Sequence, residues 1–181
     1  MARAFLSPEP RLPIRIGRYH LFDEIGHGGM ARVYLGRMAS DVGISKVVAV
    51  KRMHGHFAGD VEFREMFLSE ASLAARVNHP NVVSILDVTS SGRDILMVME
   101  YVPGAALSRL LHAARGTSIP IPVAAAVLID VLRGLDAAHR AKDEMGAPLG
   151  IIHRDVSPHN VLVGVDGLSR IFDFGIAKAL G

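Results

Sequence analysis

The segment 151-IIHRDVSPHNVLV-163 sets a cluster of ionisable and amide side chains between two runs of isoleucine and valine. The cluster consists of His153, Arg154, Asp155, His159 and Asn160. The apolar flanks predict that both ends of the segment are buried, and polar groups are costly to bury unless they are paired. The rest of the chain must therefore bring partners to this segment, which predicts a polar site at the margin of a hydrophobic core.

Length and composition limit the class of protein. A chain of 181 residues can form one core or two small lobes that share a cleft. Half of the residues are hydrophobic and 21% are charged, as in globular proteins, and a net charge of +2 is too small to favour nucleic acid as a partner. The sequence contains no cysteine, which excludes disulfides and thiolate metal sites and fits a reducing compartment; we expect a cytoplasmic location.

No segment of the sequence resembles a membrane span or a secretion signal. The longest apolar run, 119–129, is interrupted by Pro120 and Pro122 and is too short to cross a bilayer. The N-terminal residues lack the apolar stretch of a signal peptide. We therefore expect no membrane segment in this chain.

The hydrophobic pattern changes character near Pro103-Gly104. Before this point we expect an extended leader over 1–17, three antiparallel strands within 18–53, a helix over 60–78, and strands over 82–88 and 94–102. After it we expect helices over 107–114 and 122–142, and short strands over 161–165 and 168–174. The pattern predicts an α+β fold with two lobes, one mainly sheet and the other mainly helix, joined at Pro103-Gly104.

Two ionisable residues are predicted to face the core from neighbouring elements. Glu70 lies seven residues from both Phe63 and Val77, within the apolar stripe of the predicted helix. Lys51 closes the apolar run of the third strand. Taken singly, Glu70 could reach water from the edge of the stripe and Lys51 could extend to solvent. Together they can form an ion pair that holds the ammonium as a point charge suited to phosphate oxygens.

Two further segments carry groups that suit phosphates and metal ions. The glycines of 25-IGHGGMARVY-34 let the backbone approach an anion and present N–H groups to it, although most such pairs are only hairpin turns. Asp155, Asn160 and Asp173 supply oxygen ligands of the kind that Mg²⁺ prefers. A loop carboxylate or a surface salt bridge would account for one of these segments alone, but not for all of them in this order.

The ordered set GHGGMARV, VAVK, FLSEASLAARVNHPNVV, HRDVSPHN and DFG resembles the N-terminal two-thirds or so of a eukaryotic-type protein kinase domain. The GxGGM form of the glycine segment is most similar to bacterial Ser/Thr kinases. The resemblance implies a bilobal fold with a complete β-rich N-lobe containing one helix, over 18–102. It also implies a partial C-lobe over 103–181, without the activation segment and the later helices.

The resemblance also assigns roles to residues. The ATP-binding residues that it implies are Ile25, Gly26, Gly28, Gly29, Val33, Ala49, Lys51, Met99, Glu100, Val102, Leu162 and Asp173. Within this set the glycines cover the phosphates, and Lys51 contacts the α- and β-phosphates while Glu70 anchors it. The backbone of Glu100 and Val102 is expected to hydrogen-bond the adenine.

The catalytic and metal-binding residues come from the C-lobe. The resemblance implies that Asp155 orients the substrate hydroxyl and accepts its proton, and that Asn160 and Asp173 hold Mg²⁺. His153 and Phe174 are expected to pack together and to link the catalytic loop to the metal-binding turn, with Ile85 and Ala74 continuing the stack. The catalytic set is therefore Asp155, Lys51, Glu70 and Asn160.

The function implied is transfer of the ATP γ-phosphate to Ser or Thr hydroxyls of a protein substrate. One alternative is a truncated module that binds nucleotide, or acts as a decoy, without catalysis; the intact Lys51, Asp155 and Asp173 argue against it, whereas the truncation argues for it. The other alternative is a small-molecule kinase of related fold. Such kinases usually lack the HRD triplet and the glycine of DFG, and both are present here.

Four features depart from the pattern. Ala31 replaces the third loop glycine, and Ser157 stands where Ser/Thr kinases usually have a lysine, a loss expected to slow transfer; Pro158 is retained. The loop 143–150 is longer than in most of the family. The chain ends six residues after the DFG triplet. For this chain alone we expect weak nucleotide binding at best, no efficient transfer to protein, and an apolar face of the helix 122–142 that is open to water.

Overall fold

The computed structural model describes residues 13–39, 43–53, 60–92, 94–115 and 117–174. The N-lobe contains a six-stranded antiparallel sheet and one helix, α1 (Val61–Ala74). Its strands are β1 (Ile14–Ile16), β2 (Tyr19–His27), β3 (Ala31–Ala39), β4 (Ser45–Met53), β5 (Ile85–Ser91) and β6 (Asp94–Glu100). They are arranged in the order β1-β2-β3-β4-β6-β5, so that β4 and β6 lie in the interior of the sheet.

The C-lobe follows β6. It contains α2 (Leu107–Ala113), α3 (Ile121–His139), the 3-10 helix Pro158–Asn160 and a three-stranded antiparallel sheet. The strands of this second sheet are β7 (Gly104–Ala106), β8 (Val161–Gly164) and β9 (Ser169–Ile171), in the order β7-β8-β9. These elements show the α+β architecture of a partial bilobal kinase-like fold.

The alternation of side chains along β4 divides the N-lobe core in two. Val48 and Val50 are fully buried on one face, in a cluster with residues of β2 and β6. Ala49 faces the opposite side, where Phe67 of α1 packs. Because successive side chains of a strand point to opposite faces, Lys51 shares the face of Ala49 and is directed toward α1.

The N-lobe sheet curls so that its two ends meet. Asp87 on β5, at one edge, accepts a hydrogen bond from the hydroxyl of Tyr19, at the start of β2 near the other edge. The Arg18 guanidinium donates to the same carboxylate at 2.6 Å and lies 5.3 Å from the centre of the Tyr19 ring. Two hydrogen bonds hold the pKa of Asp87 below its usual range, although partial burial opposes this shift.

Helix α1 begins and ends for local reasons. The carboxylate of Asp60 accepts from the backbone N–H of Glu62 at 3.0 Å and of Phe63 at 3.4 Å, as an N-cap does. The predicted helix extends to residue 78, but α1 ends at Ala74. The N–H groups of Arg76 and Val77 bond three residues back, so the last turn tightens before Pro80.

Other element boundaries differ from the sequence pattern by a few residues. α2 and α3 lie within three residues of the predicted limits. β7 was not predicted; its three residues pair with β8 immediately after the predicted hinge. β1 lies within the predicted leader and pairs with β2 through Ile14–Leu21 and Ile16–Tyr19. Short strands of three residues carry too little pattern to be detected from sequence.

Helix α3 packs on β9 through one face. Gly134 lies so close to the N-lobe segment after α1 that an added Cβ would meet the carbonyl oxygen of Asn81 at 2.5 Å and the side chain of Ile171 at 3.1 Å. The opposite face of α3 exposes Leu128, Leu132 and other apolar side chains. Among the described residues, no helix combines the length and the apolar character needed to cross a bilayer.

The close approach at Gly134 yields a stability prediction. Gly134→Ala should lower the free energy of unfolding by roughly 1–3 kcal/mol, because the new methyl group overlaps the backbone of Asn81. Within a helix alanine is otherwise favoured over glycine by about 1 kcal/mol. Ala126→Gly, at an exposed position of α3, measures that preference and is the matched control. Urea unfolding of both variants tests the sign; equal or higher stability of Gly134→Ala would contradict this packing.

Candidate active site between the two lobes

Lys51 contacts a carboxylate from each of the two lobes. Its Nζ lies 2.9 Å from Oε1 of Glu70 on α1, and it also donates to Oδ1 of Asp173, which follows β9 in the C-lobe. The ring of Phe67 lies beneath the ammonium, with its centre 5.8 Å from Nζ. The side chains of Lys51 and Glu70 are only 15% and 8% exposed, so this ion pair is largely removed from water.

Glu70 occupies the inward position that its spacing predicts. Its neighbours on the same face of α1 are the buried residues Phe67, Ala71 and Ala74. Burial raises the pKa of the Glu70 carboxyl to about 7, although the Lys51 charge opposes the shift. Two carboxylates beside one ammonium leave one of them easier to protonate, and the more buried Glu70 is that one.

The pKa values of the other two members of the cluster shift in the directions that favour their charged forms. Burial by itself would lower the pKa of Lys51, but the charges of Asp173 and Glu70 outweigh it and the pKa is raised. Burial would likewise raise the pKa of Asp173, but the Lys51 charge holds it below its usual range. The side chain of Asp173 is 42% exposed. At neutral pH the cluster therefore offers an ammonium and an ionised, accessible carboxylate.

Asp173 is held in an uncommon backbone conformation. Arg154 and Asp173 are the two described non-glycine residues with positive φ, both at 61°. A left-handed conformation costs a non-glycine residue on the order of 1 kcal/mol or more. Such residues cluster where a side chain must be aimed at a ligand, and Asp173 is aimed at Lys51.

The catalytic-loop segment forms a hydrogen-bonded frame with the residues before Asp173. Asn160 donates from Nδ2 to the backbone oxygen of Asp155 at 2.9 Å and to its Oδ2 at 3.1 Å. The backbone oxygen of Asn160 accepts from the N–H of Phe172 at 3.1 Å. These bonds place Asp155, Asn160 and the turn that carries Asp173 in one rigid group.

His153 also links the catalytic loop to the turn that carries Asp173. Its Nε2 lies 3.0 Å from the backbone oxygen of Phe172, and its Nδ1 accepts from the N–H of Asp155 at 3.4 Å. A carbonyl can only accept, so the proton lies on Nε2 and the ring is neutral. Burial lowers the pKa of His153, consistent with that form. Its ring centre lies 4.7 Å from that of Phe174, and Ala74 and Ile85 belong to the same apolar cluster.

The residues expected to hold an adenine ring line one apolar cluster. Ala49 on β4 pairs with Met99 on β6, and both are buried together with Val102. Val33 from β3 and Leu162 from β8 pack against this cluster from the two lobes. The N–H of Glu100 donates to the oxygen of Ser84 at 2.9 Å, so any contact of Glu100 with the base must use its carbonyl oxygen.

The glycine segment lies at the open edge of this cluster. Gly28 and Gly29 are exposed in the turn between β2 and β3, and the N–H of Gly28 donates to the oxygen of Ala31 at 2.9 Å. Ile25 is 45% exposed just before the turn. Gly26 pairs with Val33, which in turn pairs with Lys51 on β4. In the sheet, Gly26 is thus separated from Lys51 by one strand, β3.

The donor set fits a magnesium nucleotide. Within the described ranges no group of three or more His, Asp or Glu side chains could bind a metal by itself. Asp173 and Asn160 offer two oxygen ligands, and Mg²⁺ is commonly bound by one or two protein oxygens together with phosphates and water. Lys51 provides the positive charge that a phosphate group requires.

Two buried polar residues near this site were assigned no role by the sequence analysis. Asn81 lies within the motif FLSEASLAARVNHPNVV, and Asp130 is a polar residue within an apolar helix. The side chain of Asn81 donates to the backbone oxygen of Ser169 at 2.9 Å, and the carboxylate of Asp130 accepts from the backbone N–H of Ser169 at 2.9 Å. The sequence feature that could have drawn attention to Asp130 is its position in an apolar helix four residues before a glycine, which places both residues on the same helix face.

The raised pKa of Glu70 predicts how stability depends on pH. Between about pH 4.5 and 7 the folded protein binds more protons at Glu70 than the unfolded chain does. The free energy of unfolding of the wild type, relative to Glu70→Gln, should therefore fall as the pH rises through this window and level off above it. Urea unfolding of both proteins across the window tests this, with Glu65→Gln at an exposed position of α1 as the baseline. A difference that rises with pH would contradict the assignment.

The chain is similar to known proteins over nearly its whole length. The sequence model of the protein kinase domain family matches residues 19–181. Serine/threonine-protein kinase PknL of Mycobacterium tuberculosis is 40% identical over 163 residues, which cover 90% of this chain and 38% of PknL. Tyrosine-protein kinase MasK of Myxococcus xanthus is 39% identical over 165 residues, 90% of this chain and 26% of MasK.

Solved structures support the same relationship. A crystal structure of the Mycobacterium tuberculosis PknI kinase domain superposes with a TM-score of 0.72 at 28% identity. The match covers 91% of this chain and 62% of that domain. The chain thus spans about a quarter to two-fifths of the curated relatives described above and under two-thirds of the solved domain. Because the match to the protein kinase domain covers most of the sequence, the chain belongs to the protein kinase family.

Proposed function

We propose that this chain binds ATP with Mg²⁺ between its lobes and forms the nucleotide-binding part of a Ser/Thr protein kinase. The observation that carries the proposal is the convergence of Lys51, Glu70 and Asp173, drawn from three separate elements. Residues with strained backbone and ionisable groups with shifted pKa values cluster at functional sites, and this cluster combines both features. A phosphate group that enters the cleft would replace Asp173 as one partner of Lys51.

The residues around this point have separable roles. The Lys51 ammonium binds the phosphate oxygens and is kept in place by Glu70, while the exposed turn of the glycine segment covers the phosphates. Asp173 and Asn160 hold Mg²⁺, which when bound neutralises charge that develops on the phosphate oxygens. Ala49, Val33 and Leu162 exclude water from the adenine site.

Asp155 acts on the acceptor. Its carboxylate receives a hydrogen bond from Asn160, which fixes its orientation at the mouth of the cleft. A substrate hydroxyl bound beside it would donate its proton to Asp155 as the oxygen attacks the γ-phosphate. Pro158 favours Ser or Thr as the acceptor residue, and the names of most relatives agree. We propose a cytoplasmic location, because ATP is present there and a sequence without cysteine fits a reducing compartment.

The base assignment leads to a direct test in the full-length protein encoded by the gene. Asp155→Asn keeps the shape of the side chain but cannot accept a proton, so phosphate transfer from labelled ATP should fall by roughly 10²–10⁴-fold. ATP affinity should be nearly unchanged. Asp136→Asn, at an exposed position of α3, is the matched control. Undiminished transfer by Asp155→Asn would refute the role of Asp155.

The same assay separates the alternative functions. Nucleotide binding without transfer to any acceptor would indicate a non-catalytic module, and transfer only to small molecules would indicate a related small-molecule kinase. Acid hydrolysis of the labelled protein identifies the acceptor: phosphoserine and phosphothreonine are expected. Phosphotyrosine alone would contradict the acceptor assignment and would match the name of the relative MasK.

A further inference from the structure

Strand β9 is held at both of its ends by partners outside its own sheet. The N–H of Ile171 donates to the oxygen of Asn81 at 2.9 Å, and its oxygen accepts from the N–H of Val83 at 3.0 Å. The next residue, Phe172, is fixed by Asn160 and His153. Asp173 follows immediately, so the backbone of these residues determines where its carboxylate lies.

The first residue of β9 is held by two side chains. Ser169 is 1% exposed. Its backbone N–H donates to Oδ2 of Asp130 at 2.9 Å, and its backbone oxygen accepts from Nδ2 of Asn81 at 2.9 Å. A buried residue whose backbone N–H and backbone oxygen are both bound to side chains has the peptide groups on its two sides anchored.

Asp130 is the part of this arrangement that belongs to α3. It is 8% exposed, and the guanidinium of Arg133 lies 3.8 Å from its other oxygen. The positive charge of Arg170 also interacts favourably with the Asp130 carboxylate. A carboxylate accepting from a backbone N–H makes a stronger bond than a neutral acceptor does. Gly134, one turn later on the same face, brings the helix against Asn81, so that α3 supplies one partner of Ser169 and contacts the other.

We propose that Asp130 is a positioning residue for Asp173, acting through the backbone of β9. The inference rests on the proposed role of Asp173 as a metal ligand and extends that site to a residue on α3. Without the Asp130 acceptor, the buried N–H of Ser169 has no partner from α3, and the start of β9 must move or admit water. Because Asp173 lies only four positions after Ser169 in the same stretch of backbone, we expect that movement to reach the carboxylate.

The expected effect is on the metal-dependent part of nucleotide binding. Partners that orient a metal ligand typically change metal affinity by 10–100-fold, and Asp130 acts at one further remove. Asp130→Leu should therefore reduce the gain in affinity that Mg²⁺ confers on a non-hydrolysable ATP analogue by roughly tenfold. Asp130→Asn retains an oxygen acceptor of the same size, so this variant should keep most of the gain in affinity that Mg²⁺ confers on the wild type.

The experiment uses the 181-residue chain and two readouts. Titration of the analogue in excess Mg²⁺ and in EDTA gives the ratio of the two affinities for each variant. Hydrogen exchange reports the protection of the Ser169 and Ile171 amides, which Asp130→Leu should lower. Val50→Ala, a cavity variant in the N-lobe cluster on the far face of the sheet, is the control for lost stability, since it should change neither readout. All titrations are made at a temperature where every variant is folded.

Each outcome is decisive. Unchanged β9 protection in Asp130→Leu, or an affinity ratio equal to that of the wild type, would overturn the positioning role while leaving the proposed function intact. An equal loss in Asp130→Leu and Val50→Ala would show that Asp130 acts only through general stability. A wild-type chain that binds the analogue without any effect of Mg²⁺ would refute the proposed function itself, and with it the role of Asp130.

Discussion

The ion-pair cluster of Lys51, Glu70 and Asp173 is the interaction on which the arrangement of the two lobes depends. Each of its members is costly to bury alone, and each comes from a different element. The ammonium on β4 is stabilised only if α1 turns Glu70 inward and β9 ends beside it. The cluster therefore favours one relative position of the N-lobe helix and the C-lobe strand, in addition to whatever it does chemically.

The apolar core supports this position from both sides. One cluster lies between the N-lobe sheet and α1, and another joins the end of α1 to α3, β8 and β9. The segment 81–83 passes between them, bonded to Ile171 and in contact with Gly134. Because this segment follows α1 in the chain, displacement of β9 and displacement of the helix that carries Glu70 are mechanically linked. The two carboxylates of the cluster are thus set by one shared piece of backbone.

Much of this could be predicted from the sequence, for reasons that are local. Alternation in β4 and the seven-residue spacing around Glu70 placed both side chains on buried faces, and the family motifs gave the fold. The true end of α1, the short strands β1 and β7, and the bond between Asp130 and Ser169 were not predicted. Three-residue strands and tightened helix ends carry little pattern, and a contact between residues 39 positions apart depends on tertiary packing. The engaged N–H of Glu100 was likewise visible only in the folded chain.

The most direct test of the central claim is a double-mutant cycle on Lys51 and Glu70, measured by urea unfolding slightly above neutral pH. If the two groups form a buried pair, Lys51→Met and Glu70→Gln should each destabilise the chain, and the double variant should be more stable than the sum of the single changes predicts. We expect a coupling energy of about 1–3 kcal/mol. Additive effects, within about 0.5 kcal/mol, would show that the two side chains do not interact in solution and would contradict the account.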